Sequence, residues 1–423
     1  MTLTSKELLR AFLSMGGATL FFRGLSLFKE IYIANTFGLS SSLESYFIAF
    51  VYVGFPISVV IVPFQTSFIA SLAKAKTEGS INNYQNEMFS SVIFITTFLI
   101  IAWVLILYGL KEYVFVNSEA VMSKVYSLLP FVFFNSINLI LYGILQFKGF
   151  FSINGYLPTI SPVCVLIGLF LYESLFGMIN VDIIVVSIVL AAFIEFCILK
   201  RMLNVKFSFF GISKTLKNCL QKSYFLMLSS VVMAIAPMVE QYFSSSAQES
   251  GVVLLRYASI IPLAISGVFS TVVAVVVLPY FSKIYFGKDG GSLISKYWNF
   301  LVLYACTIAV AYFTVSIFSR YLLSIVYSDI ISSGVEISIF NFNLYLVAGA
   351  FLCLSSLGVR LLSSMHKGKV IFVITIISIS IEILILSIFG TSANLSIVPI
   401  AIICYFLMSF IGINMYIFFK VKA

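Results

Sequence analysis

The chain has 423 residues, 61% of them hydrophobic and only 10% charged, with a mean hydropathy of +1.11. Soluble domains are roughly 45–50% apolar and about 25% charged, so these figures exclude a soluble fold, a disordered chain, a coiled coil and a disulfide scaffold. The apolar runs are continuous and about as long as the 20 residues a spanning helix needs. They are not the alternating ten-residue segments of a membrane barrel. The expected class is an all-α polytopic membrane protein.

Twelve apolar segments follow in order along the chain, over approximately 8–36, 42–72, 88–110, 122–146, 154–172, 178–199, 220–245, 251–282, 296–318, 338–365, 370–389 and 396–419. Lys6, Glu7 and Arg10 ahead of the first run imitate a signal peptide. That run continues through Arg23, Lys29 and Glu30 with no small-residue cleavage site, so it reads as a retained first helix. Segments 1, 2, 7, 8 and 10 exceed what a bilayer requires and should tilt, kink or project. Prolines punctuate several helices: Pro56 and Pro63, Pro130, Pro158 and Pro162, Pro237, Pro262 and Pro279, and Pro399. Each removes a backbone donor and bends its helix. The bends are either packing kinks or the shaping elements of a cavity that gates.

Charge placement orients the segments. With the N-terminus in the cytoplasm, 18 of the 25 basic residues fall on inside segments, Lys111, Lys124 and Arg320 fall outside, and Arg23, Lys29, Arg256 and Arg360 lie within helices. This is a positive-inside bias, and it predicts both termini in the cytoplasm. The net charge of +9 is thereby explained by orientation, and nucleic acid is not implied as a partner.

The longest inside loop, about 200–219, divides the helices six and six. Glu30-Ile31-Tyr32 in the first helix matches Glu240-Gln241-Tyr242 in the seventh. Val62-Pro63-Phe64 followed by Lys74 matches Leu278-Pro279-Tyr280 followed by Lys283. Lys148-Gly149 after the fourth helix matches Lys367-Gly368 after the tenth. The order of these matches predicts a duplicated unit: two pseudo-symmetric six-helix lobes, residues 1–205 and 206–423, around a central cavity.

Ionisable residues at bilayer depth mark function by default, because each costs about 2.5–3.5 kcal/mol on insertion scales. Arg23 lies near the middle of helix 1, with Lys29 and Glu30 two turns further out; Arg23 and Glu30 share a face. Arg256 is a turn into helix 8. Arg360 and Glu195 lie near inner helix ends, within reach of snorkelling. Glu240 follows Pro237 by three residues, a candidate cation or proton site or an ion-pair partner of Arg256. Glu382 has no partner that the sequence identifies. A cavity holding several cations suits an anion with several oxygens, such as a diphosphate, which arginine binds through two parallel hydrogen bonds.

Other chemistry is not indicated. The six cysteines, Cys164, Cys197, Cys219, Cys306, Cys353 and Cys404, show no metal spacing and read as small apolar core residues. His366 has no second ligand nearby. There is no Ser/His/Asp set, Walker loop or GxGxxG, so no cofactor is expected and the chain is not itself an ATP-driven pump. The longest outside loop, about 319–337, holds Arg320, Asp329 and Glu336. That is short for a membrane glycan polymerase or transferase.

Three stretches carry a resemblance: Phe22-Arg23-Gly24-Leu25-Ser26-Leu27-Phe28-Lys29-Glu30, then Ile33-Ala34-Asn35-Thr36-Phe37-Gly38, then Glu44-Ser45-Tyr46-Phe47-Ile48-Ala49-Phe50. With Ser250-Gly251-Val252-Val253, Tyr257-Ala258, Gly267-Val268 and Leu278-Pro279-Tyr280-Phe281-Ser282-Lys283, the chain resembles the MviN/MurJ-like flippases of the multidrug/oligosaccharidyl-lipid/polysaccharide (MOP) exporter superfamily. The resemblance implies alternating access and movement of a lipid-linked saccharide across the bacterial inner membrane. It covers helices 1–2 and 7–8 by motif and the rest by helix count. Arg23 matches one of the family's helix-1 arginines and Lys29 stands for the other. Glu44 replaces an aspartate, Gly54-Phe55-Pro56-Ile57-Ser58 lacks the arginines expected in helix 2, and Ile260 replaces an arginine in helix 8, where Arg256 sits four residues earlier. Twelve helices fit the O-antigen or other surface-polysaccharide unit flippases better than lipid II flippases.

The leading expectation is therefore a flippase for a polyprenyl-diphosphate-linked oligosaccharide, a transporter and not an enzyme. Its substrate-binding residues would be Arg23, Lys29, Arg256 and Arg360, and its ion-coupling residues Glu240 and Glu30. The coupling cation would be H+ or Na+, and a polysaccharide polymerase and glycosyltransferases would be functional partners. The alternatives are a lipid II flippase, a cation-coupled drug exporter of the same superfamily, and an intramembrane glycan polymerase or transferase.

Overall fold

The computed structural model describes residues 5–65, 68, 72, 81–148, 150–177, 179–207, 214–286, 293–327, 338–365, 367–390 and 394–420. Among them the chain is helical, and the long helices follow the twelve predicted segments in order. They are α1 (Ser5–Phe37), α2 (Ser41–Gln65), α3 (Ile81–Val114), α4 (Ser118–Lys148), α5 (Leu157–Phe176) and α6 (Asp182–Leu203) in the first half. The second half holds α7 (Lys214–Ala247), α8 (Gly251–Phe286), α9 (Leu293–Ile317), α10 (Ile339–Ser364), α11 (Gly368–Phe389) and α12 (Ile397–Lys420). Ten of these are long and apolar enough to cross a membrane by length and composition. The other two, α1 and α7, have 33 and 34 residues and carry the interior charges Arg23, Lys29, Glu30 and Glu240. The protein is a multi-pass membrane protein.

Helix ends follow local chemistry. Ser40 caps α2 by accepting the Leu43 N–H at 3.3 Å, and Glu44 lies in the first turn, where the helix dipole favours a carboxylate. Gly38, Gly177 and Asn204 end α1, α5 and α6 in the left-handed region that glycine and asparagine tolerate best. Pro56 leads directly into a π-helical turn over Ile57–Ile61, so the predicted bend in α2 takes the form of a widened turn.

Two compact units are present. One comprises Met1–Tyr32 and Ser40–Met238; the other comprises Ile33–Leu39 and Val239–Ala423. In the first, α4 is the hub, packing on α2, α3 and α6, with α5 packed on α6. In the second, α10 is the hub, packing on α8, α9 and α12, with α11 packed on α12. Each pairing in one unit recurs in the other six helices later, which is the duplication that the paired motifs suggested. The hub helices carry buried small and polar residues, whereas α3, α5, α9 and α11 present large apolar side chains outward, among them Phe98, Leu105, Phe170, Val310, Phe313 and Leu384. Those outward faces match a lipid environment. At the α8–α10 contact a Cβ on Gly349 would strike the Ser266 hydroxyl and come within 3.0 Å of the Tyr312 hydroxyl. Only glycine lets α10 approach this closely.

Some expectations are corrected. The segment after α9 starts with a short helix, Ser319–Val326, and not a loop. Cys353 is buried as expected, but Cys197 and Cys306 are exposed on helix faces, so those two are surface residues of an apolar protein and not core. Lys74, Lys76, Lys288, Asp329, Glu336, His366 and Lys422 lie outside the described residues, as do the side chains of Cys219 and Lys283.

Candidate functional site

In the first unit the α4–α6 contact is polar. Asn138 donates through Nδ2 to the Ala192 carbonyl at 2.9 Å, and one turn on, the Tyr142 hydroxyl donates to Glu195 Oε2 at 2.8 Å. The spacings of four on α4 and three on α6 put both bonds on one interface. Glu195 is 7% exposed. It therefore does not snorkel to the helix end; the hydroxyl of Tyr142 takes the place of water. Beside this pair lies a cavity of about 480 Å³ whose lining includes Ser26 and Lys29 of α1, Gln65 of α2, Asn135 and Tyr142 of α4, Ser161 of α5 and Glu195 of α6. Lys29 Nζ reaches Glu30 Oε1 at 2.9 Å, and both side chains are 15% exposed. The adjacent pair is thus mutually neutralising. Arg23, two turns earlier on α1, is exposed.

In the second unit the isolated acids find each other. The carboxyl groups of Glu240 on α7 and Glu382 on α11 lie close enough to interact with each other. A bond between two carboxyls needs a proton on one of them. Glu382 is 1% exposed, and neither of its oxygens has a hydrogen-bond partner among the described residues. Phe243, one turn beyond Glu240, sits against Gly390, two turns beyond Glu382. Tyr345 of α10 lies within electrostatic reach of both Glu240 and Arg256, and Tyr405 of α12 within reach of both carboxyls. Arg256 is exposed on α8. Arg360 is half-buried on α10, and among the described residues it makes no ion pair.

Of the residues singled out from sequence, Lys29 and Glu30 are brought together in the first unit, and Glu240 and Arg256 share Tyr345 in the second. Arg360 joins neither group. Tyr142, Glu382, Tyr345 and Tyr405 were not identified as site residues. Tyr142 was detectable in principle, because Asn138 and Tyr142 form an i, i+4 polar pair in an otherwise apolar helix. The partnership of Glu240 with Glu382 carries no local signal.

The family model for the lipid II flippase MurJ matches residues 8–420. The chain belongs to the MurJ family. A search of curated proteins gives no significant match. Among solved structures, a lipid II flippase MurJ in an inward closed conformation superimposes with a TM-score of 0.76 at 22% identity, over 97% of this chain and 87% of that one. An inward-facing multidrug resistance MATE family transporter of the MOP superfamily gives 0.69 at 14% identity, over 94% and 93%. A MOP superfamily transporter from Pyrococcus furiosus, described as having a binding pocket of reverse polarity, gives 0.62 at 16% identity, over 96% and 94%. These likenesses are likenesses of fold. The MurJ family assignment makes the chain a membrane transporter of the flippase type that handles lipid-linked substrates, and not an enzyme.

Proposed function

We propose that this chain moves a polyprenyl-diphosphate-linked surface-polysaccharide unit from the cytoplasmic to the outer leaflet of the bacterial inner membrane. Both termini are cytoplasmic, and the lobes 1–205 and 206–423 alternate access to a central cavity. The observation that carries this reading is the match of residues 8–420 to a flippase family whose substrate is lipid-linked.

The cationic residues supply the chemistry. Arg23 and Arg256 are exposed, and an arginine fork offers two parallel hydrogen bonds to a phosphate. Arg360 is half-buried and adds a third cation, whereas Lys29 is held by Glu30 and answers to the substrate only when that pair opens. Glu240, with Glu382, is the ion-coupling site. A carboxyl pair exchanges a proton or Na+ with the gradient and changes its own hydrogen bond as it does so. Glu30 is the weaker second candidate because Lys29 already occupies it.

Two features support a surface-polysaccharide unit over lipid II. In the α2 stretch that lacks arginines, Phe55 stacks on Trp103 with ring centroids 4.5 Å apart and the backbone turns through Ile57–Ile61, so the region is given to packing. Ile260 is 7% exposed, an apolar core position in its unit. The family description favours the second reading, lipid II itself. Depletion of the protein in its host separates them. Loss of surface polysaccharide with an intact cell wall supports the first. Lysis with accumulated peptidoglycan precursor assigns the second. Normal levels of both products refute the flippase reading. Glycosyltransferases and a polymerase would be the neighbouring activities.

A further inference from the structure

We infer that the cavity between α1, α4, α5 and α6 is a saccharide subsite selective for a sugar bearing a free ammonium group. The inference rests on the flippase reading and names a substrate feature that the reading leaves open.

The cavity volume, about 480 Å³, falls in the range of about 300–1,000 Å³ usual for small-molecule sites. Its polar groups are prepared for a ligand. Ser26, Asn135 and Ser161 line it and make no side-chain hydrogen bond among the described residues. The Nε2 of Gln65 is fixed on the Leu139 carbonyl at 2.6 Å, which leaves its carbonyl oxygen as an acceptor. Glu195 lines the cavity and accepts the Tyr142 hydroxyl on Oε2, which leaves Oε1 without a hydrogen bond from that residue. Phe22 and Phe131 add flat apolar walls of the kind that cover the C–H faces of a sugar ring. Hydroxyls, amides and aromatic faces around one volume suit a polyol.

Charge selects among polyols. The two ionisable groups of opposite sign in the lining are Lys29 and Glu195. The charge of Lys29 is met by Glu30 at 2.9 Å. Glu195 has no cationic partner among the described residues; its one bond is from a neutral phenol. When Glu195 is ionised the lining lacks one positive charge, in a low-dielectric setting where an unmatched carboxylate is costly. An ammonium on the ligand supplies it. An acidic sugar is disfavoured by the same carboxylate.

The test uses the full chain in lipid nanodiscs and three free sugars, glucosamine, N-acetylglucosamine and glucose, with binding followed by saturation-transfer NMR and titration calorimetry. Glucosamine is expected to bind at least about tenfold more tightly than the other two. In Glu195→Gln, which still accepts the Tyr142 hydroxyl, the three should bind equally. Tyr142→Phe frees the carboxylate without removing it and should keep a preference for glucosamine. Asn135→Ala should weaken all three. Equal binding of the three sugars to the native protein overturns the inference. So does a preference that survives Glu195→Gln, or methylammonium and Na+ competing as well as glucosamine, which would make this a simple cation site. Proton uptake at Glu195 with no sugar bound would also overturn it. The flippase reading is checked apart from this, by translocation of a lipid-linked saccharide in the native protein. Translocation without sugar selectivity removes the subsite alone, and absent translocation removes the underlying reading.

Discussion

Replacing Glu382 by glutamine probes the coupling assignment directly. In the native protein Glu240 and Glu382 face each other, a contact that becomes a hydrogen bond when one of them carries a proton, and Glu382 is 1% exposed. Glutamine keeps the shape and donates an amide N–H to Glu240, so the pair remains bonded but no longer carries an exchangeable proton between its members. Stability should therefore change little; a hydrogen bond to a charged group, worth about 1.5–3 kcal/mol, is replaced by one of the same kind. Transport should change much more. A tenfold ion gradient is worth about 1.4 kcal/mol per ion, a factor of about ten in the substrate ratio that each coupled ion can sustain. In proteoliposomes with an imposed proton or Na+ gradient, Glu382→Gln should lose that factor and flip at the same rate with or without the gradient. Thermal unfolding of the purified variant should stay near native. Retention of the full gradient dependence in Glu382→Gln would refute the assignment of this pair to coupling. Collapse of Glu382→Gln in the unfolding assay would show instead that the pair is structural.

Other outcomes follow from the same structure. Arg23→Ala should insert and fold normally, because the side chain is exposed, but lose translocation, and Arg23→Lys should keep part of it; the readout is surface product at matched expression. Gly349→Val should lower stability by about 1–3 kcal/mol, because the added carbons strike Ser266 and Tyr312 at the α8–α10 contact; chemical unfolding of the purified variant measures it. A cysteine introduced as Phe210→Cys in a chain without native cysteines should resist an impermeant thiol reagent applied to intact cells. Labelling there would overturn the proposed orientation.

The helices were legible because a spanning segment must satisfy its backbone internally and cover itself with apolar side chains, and both demands are local. Helix ends differed more. The sequence pattern begins the third segment at 88, whereas α3 begins at Ile81, because polar residues such as Asn82 and Gln85 continue a helix beyond its apolar stretch. The duplication was legible in short matched motifs and appears again as packing partners shifted by six helices. Charged residues at depth were legible as candidates, since Arg23, Glu195, Glu240 and Glu382 stand out against an apolar background. Their partners were not. Glu240 and Glu382 come together from helices far apart in the chain, and Tyr142 reaches Glu195 through the α4–α6 contact, 53 residues away. The assignment of Ile33–Leu39 to the second unit was equally hidden. Within that unit Asn35 donates to the Val326 carbonyl at 2.9 Å and Tyr257 donates to the Gly38 carbonyl at 2.6 Å, bonds that no local pattern announces.

Carriage of a polyprenyl-diphosphate-linked saccharide across a bilayer is the property on which the proposed function turns. The most direct measurement is translocation by the purified protein in proteoliposomes loaded with a fluorescent polyprenyl-diphosphate saccharide, with a membrane-impermeant glycan-modifying enzyme reporting the outer-leaflet fraction. The protected fraction should fall in the presence of the native protein under an ion gradient and stay constant with Arg23→Ala. Equal protection in native-protein and empty vesicles, with the protein folded and the gradient intact, would contradict it.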